Sequence, residues 1–224
     1  MPIKVIALDV HGTLAHFKPD RVRPIDVQRL LERFGMHISY QAFEAARQGA
    51  LFFDCPLRPI EGWPDFLALA FARMGRPISV DVLPDVVRIF ERGHDMDVYP
   101  DAIDALRTAR AAGLTTCTFT TLPQFMLGDA WPQLEPHLDH YFGASEIGVA
   151  KGDRRFYERI TDKLGVRPDE ILAVGDDPIC DVELPMAAGW RAVLLDRDNA
   201  RFSEGVVQID TIRSLDELRL RVTP

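Results

Sequence analysis

KVIALDVHGTL, residues Lys4 to Leu14, joins an apolar run to an acid and a Gly-Thr turn. Val5, Ile6, Ala7 and Leu8 read as a short buried strand of the kind found in parallel sheets. An acid at the end of such a strand stands at the carboxyl edge of the sheet, where open α/β folds bind their ligands. Asp9 is therefore the first candidate for chemistry. Its plain alternative is a polar residue that opens a loop, and the rest of the chain decides between the two.

Beyond Leu14 the pattern changes. From His16 to Met96 no period-2 strand stands out, and apolar residues recur at helical spacing instead. IDVQRLLERFG has Gly35 as its stop, and YQAFEAARQGALFFD reads as a second helix over 40–54. WPDFLALAFARMG has Pro64 in its first turn, and SVDVLPDVVRIFERG reads as a fourth helix starting near Pro84. From Asp97 onward strands and helices alternate. The helix in DVYPDAIDALRTARAAG precedes the strand LTTCTFTT, and the helix DRRFYERITDKLG precedes the strand EILAVGD. WRAVLLD reads as another strand, HYFGASEIG and GVVQI as short ones, and SLDELRLRV as a last helix.

Alternation of this kind implies an α/β fold, a doubly wound parallel sheet of Rossmann-like type, with right-handed crossovers that bring the strand ends to one edge. The helical block enters as an insertion after the first strand and hangs over that edge as a cap. The expected division is a core of residues 1–15 and 97–224 and a helical cap of residues 16–96.

Composition narrows the function classes. The 224 residues carry a formal net charge of -8, which offers no general basic surface to nucleic acid. No apolar run approaches the ~20 residues needed to span a bilayer, and MPIKVIALD has no leader-peptide pattern. Cys55, Cys117 and Cys180 are widely spaced and form neither a zinc pattern nor a disulfide framework. A cytoplasmic protein with no membrane or nucleic-acid partner is expected, and oligomeric state is open.

Four features fall at expected strand ends: Asp9 in DVHGT, Thr120 closing LTTCTFT, Lys151 in GVAKGD, and Asp176, Asp177 and Asp181 in GDDPICD. Several carboxylates in one cleft repel each other unless a cation sits among them. Hard oxygen donors left partly hydrated suit magnesium. A lysine and a threonine hydroxyl supply donors for an anion, phosphate above all. Thr120 is chosen by register among several β-favouring threonines, with Thr121 as the alternative. Lys151 is one of four lysines (Lys4, Lys18, Lys151, Lys163) in an arginine-rich chain.

The order of these motifs resembles the haloacid dehalogenase superfamily of hydrolases, and the helical insert resembles that family's C1 cap. The resemblance covers Ile3 to Leu14 and about Tyr99 to Asp196. It implies a Mg2+-dependent phosphatase in which Asp9 attacks phosphorus on a small phosphorylated metabolite. Gly12, Thr120, Thr121 and Lys151 would then surround the phosphoryl group. Asp9, the backbone carbonyl of His11 and Asp176 would hold the ion, with Asp177 and Asp181 as further ligands or supports.

His11 departs from the pattern, because family phosphatases usually carry an acid–base aspartate there. Histidine is itself the commonest acid–base residue, so it can take over the role or merely line the pocket. The departure leaves two alternatives: a 2-haloacid dehalogenase, which needs no metal, and a non-catalytic phospho-ligand binder. A phosphonatase would need a cap lysine, and only Lys18 lies near. In the cap, Phe52, Phe53, Trp63 and Phe66 are expected in the core, while Arg47 and Arg58 are candidates to meet an anionic substrate. His16, His94, His137 and His140 are expected at the surface or hinge.

Overall fold

A computed structural model describes residues 2–19, 21–93, 95–198 and 210–218. The opening apolar run forms β1 (Val5–Leu8), with all four residues buried. A strand with one wet face would alternate; this one is covered on both sides. β2 (Ala15–Phe17) follows, then α1 (Pro24–Arg33), α2 (Tyr40–Gly49), α3 (Trp63–Arg73) and α4 (Leu83–Gly93), and the chain returns through β3 (Met96–Val98). Beyond it come α5 (Ala102–Ala111), β4 (Thr115–Thr118), the single turns α6 (Trp131–Leu134) and α7 (Ala144–Ile147), and α8 (Arg154–Leu164). β5 (Ile171–Gly175), α9 (Leu184–Ala187), β6 (Arg191–Leu195) and β7 (Thr211–Ile212) complete the described elements.

The main sheet has the order β4-β1-β5-β6-β7, with every pair parallel. Residue alternation along β1 shows how it is wound. Val5 and Ala7 pack with Phe156, Tyr157 and Ile160 of α8. Ile6 and Leu8 join Leu106 and Ala109 of α5 in a second cluster that continues into the helical block. Leu8 stands opposite both Thr118 and Val174, so Asp9, Phe119 and Gly175 stand at one level at the end of β1. That common level brings residues distant in sequence to one edge.

The helical block grows from a two-stranded antiparallel ribbon in which Ala15, His16 and Phe17 of β2 face Val98, Asp97 and Met96 of β3. Three residues are too few to display a period of two, so neither strand stands out in the sequence. α2 is shorter than the 40–54 expected. It ends at Gly49, loosens into a wider turn over Ala50–Asp54 and tightens at Cys55–Leu57, where Pro56 removes a backbone donor. Trp63 and Phe66 are buried as expected, but Phe52 and Phe53 are exposed.

HYFGASEIG does not form the expected strand. It meets the edge of β4 only at isolated bridges, Cys117 with His140 and Thr120 with Gly143. Side chains interrupt the ladder: Thr116 N–H donates to Asp139 Oδ2, and Phe142 N–H to Thr118 Oγ1. The expected strand GVVQI and the end of SLDELRLRV lie outside the described residues, as does His94; Leu215–Leu218 forms one short turn. No helix among the described residues is long and apolar enough to cross a membrane.

Phe66 is fully buried where α3 faces the shared core. Phe66→Ala is expected to cost about 3–5 kcal/mol of stability, read as a lower denaturant midpoint.

Candidate active site

The edge residues converge on a cavity of about 1050 Å³ between the sheet and the helical block. Asp9 is 6% exposed, and its N–H donates to Val174 O at 2.9 Å, which ties the acid to the end of β5. Lys151, also buried, donates to Asp9 Oδ1 at 2.5 Å and lies 2.6 Å from Asp181 Oδ1. Its ammonium sits 4.4 Å from the Phe119 ring centroid, an aromatic face that suits a cation. Asp9, Asp176 and Asp181 each place a carboxylate oxygen within 4.8 Å of the others.

Two glycines make this crowding feasible. Gly12 has φ +84°, and a Cβ there would stand 2.5 Å from the Asp176 carboxylate carbon. A Cβ on Gly175 would overlap the Asp181 carboxylate. Asp181 Oδ2 in turn accepts from Asp177 N–H at 2.8 Å, which folds the acidic loop around it. Asp177 lines the cavity, yet its Oδ1 accepts from Ile179 N–H and Cys180 N–H and caps the following turn. Its carboxylate stands outside the three-acid cluster.

The electrostatics follow from burial. It raises the proton affinity of Asp9, Lys151 opposes that, and the nearby Asp176 adds to it. Asp181 shifts upward for the same first reason. Burial works against the Lys151 ammonium, but Asp181 and Asp9 outweigh it and hold the lysine charged. With all three acids ionised, one lysine leaves a net charge of −2 in a cleft of hard oxygen donors, a state that a bound cation would favour over protonation. That donor set fits a magnesium ion, with Asp9, Asp176 and Asp181 as the residues able to hold it.

His11, Thr120 and Thr121 line the same cavity. Thr120 Oγ1 accepts from Leu122 N–H at 3.3 Å, and no described residue takes its own proton, which stays available to an anion. His11 is accessible, with its ring 4.7 Å from Phe17; burial, then Arg21 and His16, lowers its pKa. Arg47 reaches the cavity from α2, held by a two-point contact with Glu44, whereas Arg58 is exposed and outside the lining. Phe52, expected in the core, lines the cavity instead.

Three contributors escape a sequence reading. Tyr157 is fully buried, and its hydroxyl faces Lys151 O at 2.8 Å and also Cys180 O, so it joins the lysine loop to the acidic loop. The signal was a hydroxyl on the apolar face of a helix, which needs a partner when buried. Phe119 lies under the lysine. Cys180 lines the cavity, but burial pushes its thiol up to about 11, so it is no thiolate nucleophile at neutral pH.

A family model described as haloacid dehalogenase-like hydrolase matches residues 3–189. (S)-2-haloacid dehalogenase 1 of Pseudomonas sp. strain CBS-3 is 31% identical over 142 residues, 61% of this chain and 62% of that protein. The chain thus spans less than two thirds of that relative's length. A phosphatase of Mycobacterium tuberculosis is 36% identical over 202 residues, 80% of this chain and 91% of that one. A solved HAD phosphatase from Thermococcus onnurineus superposes with a TM-score of 0.69 at 21% identity over 98% of each chain, a likeness of fold alone.

Lys151→Met would strand two buried carboxylates. It is expected to lower stability by about 3–5 kcal/mol in metal-free buffer, and Asp181→Asn in the same chain to recover part of the loss. Urea unfolding of the single and double variants checks this.

Proposed function

The chain belongs to the haloacid dehalogenase-like hydrolase family, and we propose that within it the protein is a magnesium-dependent phosphatase of a small phosphorylated metabolite. The carrying observation is the Lys151 ammonium bridging Asp9 and Asp181 beside Asp176, at the floor of one cavity. Asp9 is the nucleophile. Its carboxylate oxygen bonds to phosphorus as the ester O–P bond breaks, and the alcohol leaves with a proton from the imidazolium form of His11, the minor form at neutral pH because its pKa is lowered. Water then attacks the aspartyl-phosphate, gives its proton to His11, and releases phosphate with Asp9 restored. Lys151 and the Thr120 hydroxyl hold the phosphoryl oxygens, with Gly12 and Thr121 beside them. Asp9, Asp176, Asp181 and the His11 carbonyl would hold magnesium, which would supply charge neutralisation for the phosphoryl group. Asp177 supports the loop.

A second reading has an observation of its own. Lys151 already offsets two of the carboxylates without a metal, and one relative is named a haloacid dehalogenase. In that reading Asp9 attacks carbon and halide leaves. Both names stand among the relatives, so the weight for phosphorus comes from the third carboxylate, Asp176.

A panel of organic phosphates and 2-haloacids separates the readings. Phosphate release is expected with magnesium, and loss of at least about 10³-fold in EDTA or in Asp9→Asn. Chloride release from a haloacid in EDTA would replace the phosphatase reading with the dehalogenase. His11→Ala is expected to lower kcat about 10²-fold on alkyl phosphates. The loss should be smaller on p-nitrophenyl phosphate, whose leaving group departs without a proton.

A further inference from the structure

A second buried polar network stands apart from the carboxylate cluster, at the root of the helical block. Its centre is Arg197, two residues beyond β6, with a side chain only 17% exposed. Arg197 Nη1 donates to Asp101 Oδ2 and Nη2 to Asp101 Oδ1, both at 2.9 Å. The same Nη2 donates to Thr13 O at 2.8 Å. The guanidinium carbon lies 3.8 Å from the Tyr99 ring centroid. Asp101 Oδ2 also accepts from Ser214 Oγ at 2.9 Å and Leu215 N–H at 3.0 Å.

One side chain therefore grips three segments with different duties. Thr13 belongs to the turn after the nucleophile, where Gly12 packs on Asp176 and donates to Ala15 O at 2.9 Å. Tyr99 leaves β3; its N–H donates to Leu14 O at 3.0 Å, and its ring packs on His16 of β2 at 4.8 Å. Asp101 opens α5 and ties down the Ser214–Leu215 segment. A partly buried ion pair adds little net stability over an apolar pair of similar volume. The rigid fork and flat face of an arginine add a fixed geometry between the parts it holds.

We propose that Arg197 is a positioning residue that locks the turn carrying Gly12 and Thr13 to the root of the β2–β3 ribbon. The angle of the helical block and the placement of Asp9 and His11 are then set together, through the Thr13 carbonyl on one side and the Tyr99 ring on the other. The kinetic consequence rests on the phosphatase reading; the mechanical link does not.

The test uses the full chain and three variants, Arg197→Lys, Arg197→Ala and Asp101→Asn. Hydrogen–deuterium exchange reads the link without any substrate. In Arg197→Lys, exchange is expected to rise across residues 10–17 and 96–101 and to stay unchanged in β5. Turnover of p-nitrophenyl phosphate with magnesium reads the consequence. In Arg197→Lys, kcat is expected to fall about tenfold with KM within about twofold, because misplacement of a reacting group acts on the chemical step. Arg197→Ala should fall further, since lysine keeps one charged contact but not the fork. Asp101→Asn should resemble Arg197→Lys. Unchanged exchange in 10–17, or a uniform rise across the sheet with kcat per folded molecule unaltered, overturns the proposal. A parent protein that turns over no phosphate ester fails the phosphatase reading alone, and the exchange pattern still decides the link.

Discussion

The structure turns on keeping three carboxylates together at the dry end of a parallel sheet. Asp9 and Asp181 are buried, Asp176 stands beside them, and Lys151 is the cation placed among them. Unit charges about 4 Å apart interact by about 4 kcal/mol at an effective dielectric of 20. Such an array does not assemble by accident of packing. Asp9, Asp181 and Lys151 are each fastened by something other than charge. Asp9 is held through Val174, Asp181 accepts from the Asp177 amide, and Lys151 rests on Phe119 while Tyr157 holds its loop.

The fold supplies the fastening points. Parallel strands in register bring Asp9 level with Gly175, next to Asp176, although 167 positions separate the two acids (176 − 9). α8 begins three residues after Lys151 and packs Tyr157 into the sheet cluster, so the loop it leaves cannot drift. The helical block closes the other side of the cavity, and its ribbon grows from the turn that follows Asp9. The insertion point is thus a mechanical junction as well as a topological one.

This division explains what a reader of the sequence can and cannot recover. β1, β5, α3 and α8 are legible because burial on both sheet faces, or on one helix face, writes a period into the chain. Asp9, Lys151, Asp176 and Asp181 are legible because each stands where such a period stops. β2 and β3 are too short to write any period. The cap on the turn at Asp177 uses a carboxylate that looks, in sequence, like another metal ligand. Phe119 and Arg197 are invisible for a different reason, and Tyr157 shows only a hydroxyl on an apolar helix face, not what that hydroxyl meets. Their partners are backbone carbonyls, a cation and a ring brought in from distant segments, and no local pattern encodes those. Phe52 reads as core by its spacing, yet α2 ends before it and the wider turn presents it to the cavity.

The remaining choice, phosphorus or carbon, is at bottom a question of charge. With Lys151 protonated and all three acids ionised, the cluster carries a net charge of −2. A phosphate monoester at neutral pH approaches as a dianion, and Asp9 must reach a phosphorus surrounded by the oxygens that bear that charge. Two like charges on each side, at contact distance in a partly dry cleft, oppose approach by several times the ~4 kcal/mol of a single pair. Lys151 and the Thr120 proton are already in place and cannot offset that alone. A divalent cation held by Asp9, Asp176 and Asp181 would bring the cluster to neutrality. A 2-haloacid carries one charge, and the carboxylate that bears it is not the atom attacked. Its approach asks far less of the site. The third carboxylate, Asp176, is then the telling residue: with only Asp9 and Asp181, Lys151 would leave a net −1, and the case for a metal would be weaker. Its presence beside Gly12, in the space that a Cβ would fill, weights the site toward the dianion.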